Sequence, residues 1–272
     1  MNIPAPGCYP AVPAEKYHEW TACSSTALRA MMRSSPAHAK VGLVDSESPS
    51  LRLGTAVHTS ILEPHRFLSD IRVEPKVDRR TKEGKALWES FEMSMMDGQT
   101  RISEDQLIIV RAIQDRIDHS AAACGLLDEA AHREYSVVSE VEGVLCKARC
   151  DGYGGGLVLD VKTTSGLASH DEFAKTMWNF GYSIQAQLYR MVLQRAGLKV
   201  DRFAWIVCET NAPHGIACYQ VDAGLLDSFE PLVVNALHRW ADCEHTGSWP
   251  AYPDEVIGLE LPSWMTRQLE VH

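Results

Sequence analysis

Residues 146–164, with the sequence CKARCDGYGGGLVLDVKTT, constrain the fold more than any other part of the chain. Two runs typical of β-strands flank a glycine-rich turn, and Asp160 and Lys162 lie within the second run. Because alternate side chains of a strand share a face, these two charged groups point the same way, opposite Leu159 and Val161. Burying a charged group without a partner is costly. The stretch therefore predicts a β-hairpin with a charged site on one face.

A third charged residue, Asp151, ends the first run, nine residues before Asp160. A hairpin brings the two carboxylates together, and they repel each other unless a divalent cation lies between them. Hard oxygen ligands favour Mg²⁺ or Mn²⁺. Lys162 would then orient or deprotonate a metal-bound water, which suits phosphodiester hydrolysis. An Asp-x-Lys tripeptide alone is more often a surface ion pair, so this hypothesis depends on Asp151.

Several motifs, in order along nearly the whole chain, resemble those of RecE-type exonucleases (exonuclease VIII). These enzymes belong to the PD-(D/E)xK nuclease superfamily and are related to lambda exonuclease and the RecB nuclease domain. Asp151 followed by Asp160-Val161-Lys162 resembles the superfamily core, with Cys150 in place of the proline. The other motifs are Ser24-Ser25-Thr26, Ser35-Pro36-Ala37-His38, Gly54-Thr55-Ala56-Val57-His58, Leu62-Glu63-Pro64, Arg79-Arg80-Thr81 with Gly84-Lys85, Gln185 with Tyr189, Trp249-Pro250 and Leu261-Pro262-Ser263-Trp264.

The resemblance implies a nuclease centre with two Mg²⁺ ions bridged by Asp151, for which Mn²⁺ substitutes. The implied metal ligands are His58, Glu134, Asp151, Asp160 and the main-chain carbonyl of Val161. The implied catalytic residues are Glu134, Asp151, Asp160, Lys162, which activates the nucleophile, and Gln185, which reaches the scissile phosphate or orients Lys162. Without the resemblance, a lone histidine such as His58 is more often a core or surface residue.

The charge of the chain is distributed unevenly. A formal net charge of −10 argues against a general nucleic-acid-binding surface. Residues 72–85 nevertheless carry six Lys or Arg against three Asp or Glu, although such a run also fits a solvated helix start. The predicted DNA contacts are Arg79, Arg80, Lys85, Lys147, Arg149 and Tyr189. Lys147 and Arg149 share a strand face with Asp151 and would contact phosphate or neutralise the carboxylates, and Tyr189 would contact DNA or only pack.

The hydrophobic patterns predict a helical region followed by strands and helices. The resemblance implies that these form an α/β fold, a restriction-endonuclease-like PD-(D/E)xK core with a mixed central sheet flanked by helices and an N-terminal helical region. One exonuclease domain is expected over 1–272, comprising an arm and helix (1–50), a mostly helical region with His58 (51–130), the nuclease core (131–245) and a tail (246–272). Four prolines predict an irregular arm over 1–20, and 41–50 is expected to be a loop. The other predicted helices cover 51–64, 81–96, 103–123, 170–180, 182–196 and 223–244, and the predicted strands cover 70–74, 133–140, 144–151, 201–209 and 214–221.

Three features of the sequence predict a cytoplasmic location, and the resemblance implies a bacterial or phage-infected cell. The chain has no run of 18 apolar residues, no basic segment before an apolar run at its N-terminus, and eight cysteines without a CxxC pair. An iron–sulfur cluster is not expected, because only Cys243 lies near the C-terminus.

The resemblance also implies an activity and partners. The expected activity is Mg²⁺-dependent 5′→3′ digestion of linear double-stranded DNA, which leaves 3′ single strands for phage-type recombination by strand annealing. The expected partners are a duplex DNA end, a single-strand annealing protein and other copies of the chain in a ring, with four subunits favoured and three the alternative. An endonuclease of the same fold and a non-catalytic DNA-binding scaffold are the alternative functions.

Overall fold

The computed structural model describes residues 3–10, 12–41, 48–263 and 265–266. Most of the predicted loop over 41–50, and Trp264 of the last sequence motif, lie outside these residues. Within them, no helix is both long enough and apolar enough to span a membrane.

Among the described residues from 132 onward, three strands are followed by two helices, two further strands and a last helix. The helices are α1 (Ala14–Glu19), α2 (Ser25–Arg33), α3 (Pro36–Val41), α4 (Pro49–Leu62), α5 (Phe67–Asp70), α6 (Lys82–Ser94), α7 (Glu104–Asp118), α8 (Ala121–Glu129), α9 (His170–Asn179), α10 (Tyr182–Arg195) and α11 (Ala223–Thr246). The strands are β1 (Gly7–Tyr9), β2 (Cys23–Ser24), β3 (Ile71–Val73), β4 (Thr100–Ile102), β5 (His132–Val141), β6 (Val144–Gly154), β7 (Leu157–Thr164), β8 (Arg202–Glu209) and β9 (Ile216–Asp222).

A mixed seven-stranded sheet forms the centre of the fold, with the order β1-β5-β6-β7-β8-β9 and β2 paired with β6. The strands from β5 to β7 are joined as antiparallel hairpins. α9 and α10 connect β7 to the parallel strand β8, and a parallel pair needs such a long crossover. The predicted α/β fold with a mixed sheet flanked by helices is therefore confirmed.

Helices cover both faces of this sheet. On one face, α2, α10 and α11 pack against Val158, Phe203 and Trp205. On the other face, α4 and α7 pack against Leu159 and Val161. Because neighbouring residues of β7 contribute to opposite cores, burial of these apolar side chains fixes the register of the strand. The alternation of apolar side chains along β7 therefore determines on which face of the sheet Asp160 and Lys162 lie.

Two helical predictions need correction. The arm over 1–20 contains α1, because Pro13 precedes this helix and its six residues contain no proline. The helix predicted over 103–123 begins with a capping box formed by Ser103 and Gln106, but it ends at Asp118. The hydroxyl of Ser120 then accepts a hydrogen bond from the Ala123 N–H and caps α8 as a separate helix.

Candidate active site

The candidate site lies where β6 separates from β7. These strands pair from Gly152 to Gly154 across a turn in which Gly155 and Gly156 both have positive φ angles (54° and 80°). Just beyond this pairing, β7 donates a hydrogen bond to a side chain of β6 and not to its main chain. The Val161 N–H donates to Asp151 Oδ2 at 2.6 Å. The divergence of the two strands exposes Asp151 at the wall of a cleft.

The cleft has a volume of about 480 Å³ and lies between the sheet and α4. Six of the predicted metal ligands, catalytic residues and DNA contacts line it: His58, Glu134, Arg149, Asp151, Val161 and Lys162. Two others, Asp160 and Gln185, are buried directly behind Lys162. The structure thus gathers all of the predicted metal ligands and catalytic residues within or directly behind one cleft.

The carboxylates of the site repel one another. Burial, and secondly the charge of Asp160, raises the pKa of Asp151 to about 7. Glu134 of β5 lies opposite Asp151 of β6. The residues on either side of both are paired across the two strands, but Glu134, with a φ of 49°, is not paired with Asp151. Burial and the nearby Asp151 raise the pKa of Glu134, although Arg149 forms an ion pair with it. The site therefore holds buried negative charge that is only partly compensated.

The Lys162 ammonium is held between a carboxylate and an aromatic ring. Its Nζ lies 2.6 Å from Asp160 Oδ2 and 4.8 Å from the ring centroid of Tyr182. Burial is the largest influence on its pKa and lowers it, but Asp160 and Asp151 together outweigh burial, so that the pKa is raised. Lys162 is therefore cationic at neutral pH, which favours orienting or protonating a group over removing a proton from water.

Gln185 contacts Asp160 instead of either expected partner. The Nε2 amide of Gln185 donates to Asp160 Oδ1 at 2.8 Å, and the side chain is buried. It does not line the cleft and does not contact Lys162 among the hydrogen bonds of the described residues. The expected contacts with a phosphate or with Lys162 are thus replaced by one that fixes the orientation of the Asp160 carboxylate.

His58 faces Asp151 from α4. Its Nδ1 lies 3.4 Å from Asp151 Oδ2, and the ring also hydrogen-bonds to the main chain of Val161. Burial, and secondly the positive charge of Lys162, lowers the pKa of His58. The imidazole is therefore neutral at pH 7, which is the form that binds metal ions.

The donor set fits a hard divalent cation. In the part of the chain that the structure describes, no three His, Cys, Asp or Glu side chains form a preformed metal cage. Instead, Asp160 and Glu134 are paired with the cations of Lys162 and Arg149. The available donors are carboxylate oxygens, a main-chain carbonyl and one neutral imidazole, and the raised pKa of Asp151 marks negative charge that a divalent cation would relieve.

Comparison with known families agrees with this geometry. The sequence matches, over residues 16–257, the family described as "PDDEXK-like domain of unknown function (DUF3799)". The chain belongs to this family. The match includes every predicted metal ligand and catalytic residue.

Solved structures also resemble this PDDEXK-like domain. A proposed exonuclease from Eubacterium rectale matches with a TM-score of 0.63 and 15% identity, over 96% of this chain and 98% of its own. A phage-related exonuclease from Haemophilus somnus matches 84% of this chain and 96% of its own at 16% identity, with a TM-score of only 0.36. At such identities, the first likeness supports the fold alone. None of the curated proteins compared with the sequence matches it.

Two predicted DNA contacts of the PDDEXK-like domain lie in the interior, which for Tyr189 is the packing alternative. Lys147 is buried, and its ammonium donates to the main-chain carbonyls of Tyr17 and Trp20 at 2.9 and 2.8 Å. Tyr189 is buried in the core beside Phe203, and burial raises its pKa. Lys147 is covered by α1 and by Trp20, the residue that follows this helix.

The remaining predicted DNA contacts lie in two places. Arg149 lines the cleft, and its Nη1 donates to the Val12 carbonyl at 2.7 Å. Arg79, Arg80 and Lys85 lie on or next to α6, and the guanidinium of Arg79 lies 4.4 Å from the ring centroid of Trp88. These three residues do not line the cleft, so only Arg149 adjoins the carboxylates.

The sequence analysis did not identify Tyr182, which lies beneath the Lys162 ammonium and lines the cleft. Its only sequence signal is the Phe180-Gly181-Tyr182 tripeptide between two predicted helices. Glu15 and His18 of α1 also line the cleft. They were missed because the arm was expected to be irregular.

Proposed function

We propose that the protein is a Mg²⁺-dependent exodeoxyribonuclease that digests one strand of linear duplex DNA from its 5′ end. The observation that carries this proposal is the convergence of Asp151, Asp160 and Lys162 at the cleft where β6 leaves β7. Membership of a PDDEXK-like family supports a nuclease. The resemblance of its motifs to RecE-type enzymes supports the exonucleolytic polarity and the production of 3′ single-stranded tails.

The proposed chemistry assigns a role to each group of the site. Two Mg²⁺ ions would be held by Asp151, Asp160, Glu134, His58 and the Val161 carbonyl. The ions would stabilise the phosphate as Lewis acids and lower the pKa of bound water. Lys162, kept cationic by Asp160, orients the attacking water and adds positive charge beside the phosphate. Gln185 is a positioning residue, because it acts through the Asp160 carboxylate.

The proposed partners follow from the same resemblance. A ring of subunits, with four favoured over three, would enclose the DNA and keep it near the cleft through successive cleavages. A single-strand annealing protein would receive the 3′ tails during recombination in a bacterial or phage-infected cell.

Digestion of end-labelled DNA tests the activity directly. A linear duplex labelled at one 5′ end or one 3′ end is incubated with Mg²⁺, with Mn²⁺ or with EDTA. We expect progressive loss from the 5′ end with either metal and none with EDTA. A covalently closed circle included as a second substrate would be cut by an endonuclease and spared by an end-dependent enzyme.

The chain contains a matched control for the active-site pair. Asp160→Ala and Lys162→Ala should each abolish digestion without unfolding the chain. Lys199 and Asp201 form another Lys–Asp pair two residues apart, also at 2.6 Å but at the surface, so Lys199→Ala and Asp201→Ala should digest DNA normally. Robust digestion by both active-site variants would refute the mechanism. Binding of DNA ends by a wild-type protein that cuts neither substrate would indicate a scaffold.

A further inference from the structure

We propose that a second cleft on the far side of Lys162, here called the stacking cleft, holds an unpaired DNA base against Phe180. This inference extends the proposed function by naming where the substrate strand lies beyond the carboxylates. The stacking cleft has a volume of about 750 Å³, and its walls include Arg29, Arg33, Phe180 and Tyr182. Lys162 and Tyr182 line both clefts. A strand that crosses the active site would therefore enter the stacking cleft directly.

The aromatic wall of the stacking cleft is open to solvent. Phe180 is 53% exposed, and its ring lines the stacking cleft. Its ring stacks on that of Tyr182, with centroids 6.0 Å apart and planes inclined by 23°. An exposed aromatic face of this kind binds nucleic-acid bases regardless of sequence, because every base has a π face.

Cations surround the aromatic pair. The guanidinium of Arg33 lies 5.5 Å from the Phe180 ring centroid, and that of Arg29 lies 5.8 Å from the Tyr182 centroid. With Lys162, three cationic residues line the cleft, and no acidic residue does so within the described part of the chain. In a chain with a formal net charge of −10, this local excess of positive charge favours a phosphate backbone.

The turn between α9 and α10 holds Phe180 in this position. Gly181 has a φ of 68°, which side chains other than glycine adopt only with strain. A Cβ at Gly181 would lie 3.1 Å from Arg29 side-chain carbons. In addition, Arg29 Nη1 donates to the Phe180 carbonyl at 3.1 Å. The exposed ring is therefore fixed by the backbone and by a cation of the same cleft.

An unpaired base fits these features better than a duplex. In a duplex the base faces are stacked on their neighbours, whereas a single strand offers both a free π face and a phosphate. The combination of aromatic rings with nearby cations is typical of single-strand binding sites. A strand separated near a DNA end would provide such a base.

Binding of single strands with and without bases tests this inference. Fluorescence anisotropy compares a labelled thymidine oligonucleotide with an oligonucleotide of equal length and charge in which the bases are replaced by abasic sites, in EDTA. We expect the wild type to bind the base-bearing strand about tenfold more tightly. Phe180→Leu, which keeps an apolar side chain but removes the π face, should lose this preference, and Phe180→Trp should retain it.

Two further variants separate stacking from other effects. Tyr252→Leu removes another exposed ring, 71% exposed and outside the stacking cleft, and should leave the preference unchanged. Arg33→Gln should weaken binding of both strands alike and lower the salt dependence by about one ion. Thermal melting verifies that each variant is folded, and if Phe180→Leu is unfolded, Phe180→Met serves in its place.

The outcomes distinguish this inference from the proposed function. Equal affinity of the wild type for the two strands, or an unchanged preference in a folded Phe180→Leu variant, would overturn the stacking cleft even if DNA is digested. A preference that depends on Phe180 supports the stacking cleft even if no digestion occurs, because the measurement in EDTA requires no hydrolysis.

Discussion

Replacement of Gln185 by methionine tests whether catalysis depends on the orientation of Asp160. Methionine has nearly the same volume but cannot donate to Asp160 Oδ1, the acceptor at 2.8 Å. A hydrogen bond to a charged group contributes about 1.5–3 kcal/mol, and the buried carboxylate would lose it without gaining water. For a chain of this size, the midpoint of thermal unfolding should fall by about 3–10 °C.

The same loss should appear in the rate. If the carboxylate must be held in one orientation in the transition state, a loss of about 1.5–3 kcal/mol lowers kcat by roughly 10- to 150-fold, because 1.36 kcal/mol corresponds to a factor of ten. KM should change little, since Gln185 does not line the cleft. A continuous assay of duplex digestion at saturating Mg²⁺ gives both constants, and thermal melting gives the stability.

Gln187 provides a matched control on the same helix. It is also buried, but it points away from the site, and its Nε2 lies 3.4 Å from Glu230 Oε2 of α11. Gln187→Met should lose some stability while kcat remains within about twofold of the wild type. If Gln185→Met raises KM without lowering kcat, the residue contacts the substrate and the positioning role is refuted. Equal kcat losses in the two variants would indicate a general effect of reduced stability.

Two further predictions concern stability. Gly181→Ala should lower the free energy of unfolding by about 1–2 kcal/mol, because the positive φ is strained for alanine and its Cβ approaches Arg29. Gly125→Ala, inside α8 with open space around it, should instead raise the free energy of unfolding by about 0.5–1 kcal/mol. Equal effects of the two substitutions in chemical denaturation would contradict the assigned turn. Lys147→Met should lower the free energy of unfolding by about 2–4 kcal/mol, since it removes two hydrogen bonds from a buried ammonium to the carbonyls of Tyr17 and Trp20, without changing the salt dependence of DNA binding. Burial lowers the pKa of Lys147 to about 8 from its ordinary value of 10.5, so the unfolded chain binds more protons between these pH values and wild-type stability should rise with pH there; an equal rise in Lys147→Met would exclude Lys147 as its source.

The hairpin that carries the site could be predicted from the sequence because its determinants are local. Alternation in β7 assigns Asp160 and Lys162 to one face, and the glycines at 155 and 156 permit the tight turn. Caps such as Ser103 marked helix starts for the same reason. These features depend on residues within a few positions of one another.

The contacts that could not be predicted join distant parts of the chain. Gln185 reaches Asp160 only because α10 packs on the face of β7 that carries this carboxylate. The burial of Lys147 depends on carbonyls of the N-terminal arm, more than 120 residues away. Strand alternation gives the direction of a side chain, but not which element covers it. Charge and spacing therefore identified the groups of the site better than they identified their partners.

The distribution of charge is compatible with the proposed binding of DNA by an acidic chain. Exposed charges more than about 8 Å from a phosphate are largely screened at physiological ionic strength, so the formal charge of −10 matters less than the groups around each cleft. In the proposed mechanism the carboxylates of the active site would face divalent cations, whereas Arg29 and Arg33 in the stacking cleft would face the phosphates directly. Lys162 lies between the two regions and belongs to both. A strand attracted to the stacking cleft would thus approach the carboxylates from the side of Lys162, where positive charge compensates them. The acidic exterior would repel DNA that is not directed into the cleft.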